Sequence, residues 1–133
     1  MKRMTSFIFI VVAIYVGSTA FLFLFQRSFM YHPSAGLLDP AHFGVPEMAL
    51  VKIETDDGLS LSAWYRAPTT LEAPTILYFH GNAGHIGDRA DKVKPYLDQG
   101  LGVLLLSYRG FGTNHGYPTE ENLYLDGRAA LKF

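Results

Sequence analysis

The chain has 133 residues, of which 49% are apolar and 17% charged, with a formal net charge of −1, a mean hydropathy of +0.13 and no cysteine. That length sets one small domain as the expectation and puts a catalytic α/β fold of ordinary size out of reach. The near-zero charge argues against a nucleic-acid binder, which would carry a clustered basic excess, and the lack of cysteine excludes a disulfide framework, a thiolate zinc site and a thiol nucleophile.

The apolar excess sits at the front. Between Arg3 and Arg27 no residue is charged, and thirteen of the residues from Phe7 to Phe25 are Phe, Ile, Leu or Val. A helix rises about 1.5 Å per residue, so about 20 residues cross the ~30 Å hydrocarbon core, and the apolar side chains outweigh Gly17, Ser18 and Thr19. Residues 4–26 are therefore expected to form a transmembrane anchor. Lys2, Arg3 and the amino terminus flank one end against Arg27 alone at the other, a bias that favours a single pass with the N-terminus cytoplasmic and the remainder on the opposite side. Two other readings compete. A cleaved signal peptide would use Ser18-Thr19-Ala20 as its small-residue site but would leave Phe21–Phe25 exposed on the mature chain. A buried core helix would show an apolar face and a polar face, and this run has neither.

Residues 27–45 are punctuated by Pro33, Gly36, Pro40 and Gly44, too often for a helix or an interior strand, and read as a connector that begins to pack on the domain behind it. Phe29 and Tyr31 suit a membrane interface. Ala49–Thr55 and Leu59–Arg66 alternate apolar and polar side chains around Asp56-Asp57-Gly58, the pattern of a β-hairpin with one wet face. Thr75–Phe79 is a continuous apolar run, as in a strand buried on both faces. A helix follows over 88–99, with Ile86, Ala90, Val93 and Leu97 on one side, Pro95 inside the window and Gly100 as its left-handed cap. Leu101–Ser107 is a second apolar strand, and a Gly-rich loop over 108–118 leads to a helix from Thr119 with Glu120 and Glu121 in its first turn. Strand, helix, strand, helix predicts a right-handed βαβ crossover and a parallel sheet.

Ligands bind such sheets at the carboxyl ends of the strands, where two loops fall. His80-Gly81-Asn82-Ala83-Gly84-His85-Ile86-Gly87 lacks the lysine of a phosphate loop, and its glycines at 81, 84 and 87 miss the dinucleotide spacing. A sharp turn of this kind after a strand can present backbone N–H groups to a developing oxyanion. Gly110-Phe111-Gly112-Thr113-Asn114-His115-Gly116 is a loosened dinucleotide loop with one residue too many before its last glycine. No cofactor and no metal is expected, because no His or carboxylate has ligand spacing. His85 and His115 are expected at the solvent or lining a substrate, and His32 and His42 are assigned nothing.

The residues Tyr78-Phe79-His80-Gly81-Asn82-Ala83-Gly84, Ile86-Gly87-Asp88-Arg89, Leu104 to Gly112, and Gly116-Tyr117-Pro118-Thr119-Glu120-Glu121 resemble the α/β-hydrolase superfamily, and within it the membrane-anchored, serine-peptidase-like branch. Gln26 to Pro33 is similar to that group's juxtamembrane stretch. Ser107 stands where the family often has Asp, and Asn114 where Ser is usual. The resemblance implies an α/β fold over 46–133: an antiparallel N-terminal hairpin leading into a parallel sheet with flanking helices, a partial hydrolase fold preceded by one transmembrane helix. It implies that Asn82 donates its backbone N–H to the oxyanion and that His80 and Gly81 shape the turn. The family's nucleophile sits in a Gly-x-Ser-x-Gly elbow, followed by an acid and a His. That pattern is absent from these residues, so the expectation is the N-terminal half of a serine hydrolase of small esters or amides, inactive alone. The alternative is a non-catalytic, membrane-tethered remnant or interaction module.

Ser107 lacks the elbow glycines and is not expected to be a nucleophile. Arg109 is expected to bond loop carbonyls, and Asp126 to be a charge on a wet helix face. By the family's strand order Thr75–Phe79 lies at an open edge, through which the chain could self-associate. With ordering costing roughly 1–2 kcal/mol per residue, a half-sheet is expected to be marginally folded.

Overall fold

The computed structural model describes residues 2–36 and 39–133; Met1, and Leu37 and Leu38 inside the expected connector, lie outside the described residues. The chain divides into two units, one ending at Tyr31 and one running from His32 to Phe133, and each is described by itself.

The first unit is the helix α1, Lys2–Met30. Its span from Arg3 to Met30 is long and apolar enough to cross a membrane, and none of it is buried. Phe7, Phe9, Tyr15, Phe23 and Leu24 all stand outward, so the apolar surface runs around the helix rather than along one stripe. A surface apolar all round suits lipid better than one flank of a protein core.

The second unit holds β1 (His32–Pro33), β2 (Ala49–Glu54), β3 (Ser60–Arg66), β4 (Thr75–Phe79), β5 (Ala83–Gly84), α2 (Ala90–Asp98), β6 (Gly102–Leu106) and α3 (Glu120–Lys132), with 3-10 turns at Pro40–Phe43 and Ile86–Arg89. A four-stranded sheet has the order β2-β3-β6-β4. The β2–β3 and β3–β6 pairs are antiparallel, whereas β4 and β6 run parallel, with Thr75 opposite Gly102 and Phe79 opposite Leu106. Residues 49–66 thus form the hairpin that the alternation predicts, and β4–α2–β6 is the parallel crossover unit.

The sheet is covered on both faces. Val103 and Leu105 point into a core with Val45, Met48, Trp64, Ile86, Ala90, Val93 and Leu97. Leu104 and Leu106 point the other way, against Ile53, Leu61, Ala63, Ala129 and Ala130. All five residues of β6 are buried, which is why the run from 102 to 106 carries no polar alternation. Strand β4 corrects its sequence reading. Its equally apolar run is half-buried, and Phe79 is 40% exposed, because β4 is the outermost strand of this sheet.

The 88–99 window is also corrected. Its first turn is 3-10, and the α-helix proper starts at Ala90 and carries Pro95 without breaking. Proline at the sixth position removes only one helical N–H bond. Gly100 does take the left-handed conformation (φ +81°), and its N–H closes on the Leu97 carbonyl at 2.9 Å. Helix α3 starts after Thr119, whose hydroxyl accepts from Asn122 N at 3.2 Å.

Residues 32–48 do more than connect. Asp39 caps the first 3-10 turn through Ala41 N at 3.0 Å, and Phe43 packs on Trp64 with ring centroids 5.6 Å apart. Val45 and Met48 are buried in the core. Strand β1 forms a two-residue parallel ladder with β5, pairing His32 with Ala83 and Pro33 with Gly84.

Candidate active site

Strands β4 and β6 end side by side, and the turn after each builds the site. His80, directly after β4, is 5% exposed, its ring 4.7 Å from that of Tyr108 and 4.8 Å from that of Phe111. Its Nε2 accepts the Tyr108 N–H at 3.2 Å, and its Nδ1 lies 2.7 Å from the Gly81 carbonyl. Burial pushes its pKa below the ordinary value. The two sequence-distant turns are therefore joined through one imidazole.

Gly81 and Asn82 are exposed, and a Cβ built on Gly81 would meet nothing within 4 Å. The Asn82 carbonyl accepts from His32 N at 2.8 Å, the Gly84 carbonyl from Ser34 N at 3.0 Å, and the Ala83 carbonyl from Arg89 Nη2 at 3.0 Å. His85 N donates to Asp88 Oδ2 at 2.9 Å. These bonds together brace the turn from 82 to 85. The chain after α1 also reaches the second loop: Gly112 N donates to the Ser34 carbonyl at 3.0 Å, and Ala35 bridges to Gly112.

The second loop folds on itself. Gly110 N donates to the Asn114 carbonyl at 3.1 Å, and Phe111 is buried. Asn114, noted in the sequence only as a departure from the family's usual Ser, has a structural role. It accepts from Ser62 N at 2.8 Å through its side-chain oxygen and donates to the Ser107 carbonyl at 2.6 Å, tying β3 to the end of β6. Ser107 is 1% exposed, and its hydroxyl donates to the Phe111 carbonyl at 3.4 Å, an inward placement that suits no nucleophile.

Two sequence expectations fail here. Arg109 bonds carboxylates rather than loop carbonyls. Its Nη1 and Nη2 meet Asp57 at 2.7 and 3.1 Å, and its Nε and backbone N–H meet Asp126 at 2.8 and 2.9 Å. Asp126 is fully buried, not a charge on a wet face. A guanidinium taken out of water needs compensating charge, and a residue nearly two turns into α3 supplies it. The Arg109 hydrogen bond, with a second from Thr55, lowers the Asp57 carboxyl to about 2. Burial raises the Tyr108 phenol to about 12, with Asp126 adding to it.

His85 is mostly covered, its ring edge-on to Phe43 at 5.5 Å, and His115 is exposed. His42 pairs with Asp39 at 3.2 Å on the surface. Among the described residues no three His, Asp or Glu side chains gather as metal ligands. Beside β4 an apolar groove of about 330 Å³ is lined by Phe79, Tyr108, Leu123, Tyr124, Gly127 and Leu131.

No family model matches the sequence. The uncharacterized protein MT2364 of Mycobacterium tuberculosis is 38% identical over 93% of this chain and 44% of its own length. The alpha/beta hydrolase domain-containing protein WAV2 of Arabidopsis thaliana is 33% identical over 89% of this chain and 41% of its own. The chain belongs to the α/β-hydrolase superfamily. The fold agrees: the Pyrococcus furiosus esterase Pf2001 superposes with a TM-score of 0.56 at 22% identity, over 77% of this chain and 41% of that one. This α/β-hydrolase chain spans less than half the length of the curated relatives it matches. In an α/β-hydrolase, the turn at 80–84 and the loop at 108–116 occupy the carboxyl edge of the sheet, where such folds place their chemistry.

Proposed function

We propose that this chain is the N-terminal part of a membrane-anchored serine hydrolase of esters or amides, with α1 as the anchor, 46–133 as the beginning of the catalytic domain, and the N-terminus on the cytoplasmic side. In this reading the Asn82 N–H is one oxyanion donor, His80 and Gly81 shape its turn, and the nucleophile, acid and base lie on residues other than these 133. One observation carries it. Gly81 is exposed, its conformation requires no glycine, and a side chain there would meet only open space, so what the glycine keeps clear is room for a ligand rather than for the fold.

The test is fluorophosphonate labelling. The 133-residue chain should not react; its labelling would overturn the account of the nucleophile. A gene product that continues into an in-frame Gly-x-Ser-x-Gly should label at that serine, and Gly81→Ala, whose methyl would enter the space a ligand needs, should slow the reaction by about 10²-fold, the scale of a reacting group displaced by about 1 Å, at unchanged thermal stability. Equal rates in the two proteins would show that no ligand uses the space beside Gly81 and would remove the observation on which this reading rests.

A second reading is favoured by the half-exposed β4: a tethered module in which β4 pairs with β4 of a second copy. An edge strand presents unpaired backbone donors and acceptors, and identical edges are self-complementary about a two-fold axis.

A further inference from the structure

We propose that His80 is a positioning residue whose neutral, Nδ1-protonated imidazole holds the Gly81 carbonyl and thereby aims the Asn82 N–H to the exposed side of the turn. The two ring contacts are enough to fix the tautomer. A backbone N–H can only donate, so the nitrogen facing Tyr108 N, Nε2 at 3.2 Å, carries the lone pair. A carbonyl can only accept, so the nitrogen facing Gly81 O, Nδ1 at 2.7 Å, carries the hydrogen. Both contacts demand the same tautomer, and the imidazolium satisfies only one of them, because its Nε2–H would confront the Tyr108 N–H.

The consequence passes through a peptide plane. Among the described residues no peptide bond is cis, so the Gly81 carbonyl and the Asn82 N–H point in opposite directions within one rigid plane. A carbonyl turned in toward the ring sends the N–H outward. The next plane is fixed too, since the Asn82 carbonyl accepts from His32 N at 2.8 Å. Asn82 is thus held by a ring on one side and by the strand that follows α1 on the other. The surroundings favour the neutral ring on balance: burial, the largest influence, and the charges of Arg89 and His85 oppose protonation, the bond to the Gly81 carbonyl and the Asp88 charge favour it, and from the second loop the ring meets the Tyr108 phenol, which stays neutral. This role gains its catalytic meaning from the oxyanion reading of Asn82, whereas the geometry holds without it.

The test uses the 15N-labelled 133-residue chain in detergent micelles. At about pH 7.5, ring 1H–15N correlations of His80 should show Nε2 as the bare nitrogen and Nδ1 as the protonated one. Lowering the pH to about 5 should move the ring, the Tyr108 amide and the Asn82 amide together, with a midpoint below the ordinary histidine value of 6.5. His80→Asn, which keeps a donor near Nδ1, should retain the Asn82 amide shift, and His80→Gln, which keeps only an acceptor near Nε2, should lose it. An Nε2–H tautomer, a charged ring at neutral pH, or an Asn82 amide that ignores ring protonation would each overturn the proposal, even if a variant failed to fold. The tautomer is read without catalysis, so an inert longer protein with this ring pattern would defeat the hydrolase reading alone, and a reactive one with the wrong tautomer would defeat this one alone.

Discussion

Arg109 is gripped by carboxylates that the chain supplies 52 residues earlier and 17 residues later. It is 3% exposed and Asp126 not at all, whereas Asp57 keeps part of its side chain in water. Desolvating such a cluster offsets much of its Coulomb attraction, so its contribution shows on breaking it rather than on counting its bonds. Asp126→Ala leaves the guanidinium buried against one carboxylate, and denaturant titration should find a loss of about 3–5 kcal/mol. Replacing both partners together (Arg109→Met with Asp126→Leu) should recover a large part of it, since no buried charge then remains. The sequence could not announce this trio. Arg109 in a loop and Asp126 on a helix match the ordinary signature of exposed charges, and only the topology that brings 57, 109 and 126 together removes their water. A hint did exist: Asp126 sits one turn before Ala129 and Ala130, on the face that α3 buries.

At the scale of elements, legibility follows length. The alternation over 49–66 and the apolar run over 101–107 are long enough for their period to be read, and the observed strands lie within a residue or two of them. Strand β1 is two residues long, lies between a helix end and a glycine, and has no period to read. Yet it and the residue after it supply the N–H groups, at His32 and Ser34, that hold the 82–84 turn. The turn itself is legible in His80-Gly81-Asn82, but what braces it is not, because parallel pairing leaves no local mark in either segment. Ser34→Pro removes the donor to the Gly84 carbonyl. Amide exchange in residues 82–85 should then quicken by at least roughly tenfold, while that of β6 stays unchanged; equal protection in both proteins would show that the ladder does not stiffen the turn.

For the whole molecule, the unfinished side is the β4 side. Phe79, Tyr124 and Leu131 stand 40%, 60% and 75% exposed around the 330 Å³ groove, and Phe133 stands 57% exposed beside Tyr65, a run of apolar side chains of the kind that marks a contact surface. If copies associate through this side as proposed, sedimentation of the 133-residue chain in detergent should show dimer growing with concentration, and Leu131→Glu, at a site too exposed to matter for folding, should weaken association by about tenfold or more. Association indifferent to that charge would place the contact elsewhere, α1 included. The Asp57–Arg109–Asp126 cluster finally imposes an order on biosynthesis. As the polypeptide leaves the ribosome, Asp57 emerges first and can wait, hydrated, at its turn. Arg109 gains its buried partner only once Asp126 has followed it out, so shutting the guanidinium away from water waits for α3 to be translated. Nascent chains stalled between those two codons would be the form that chaperones meet.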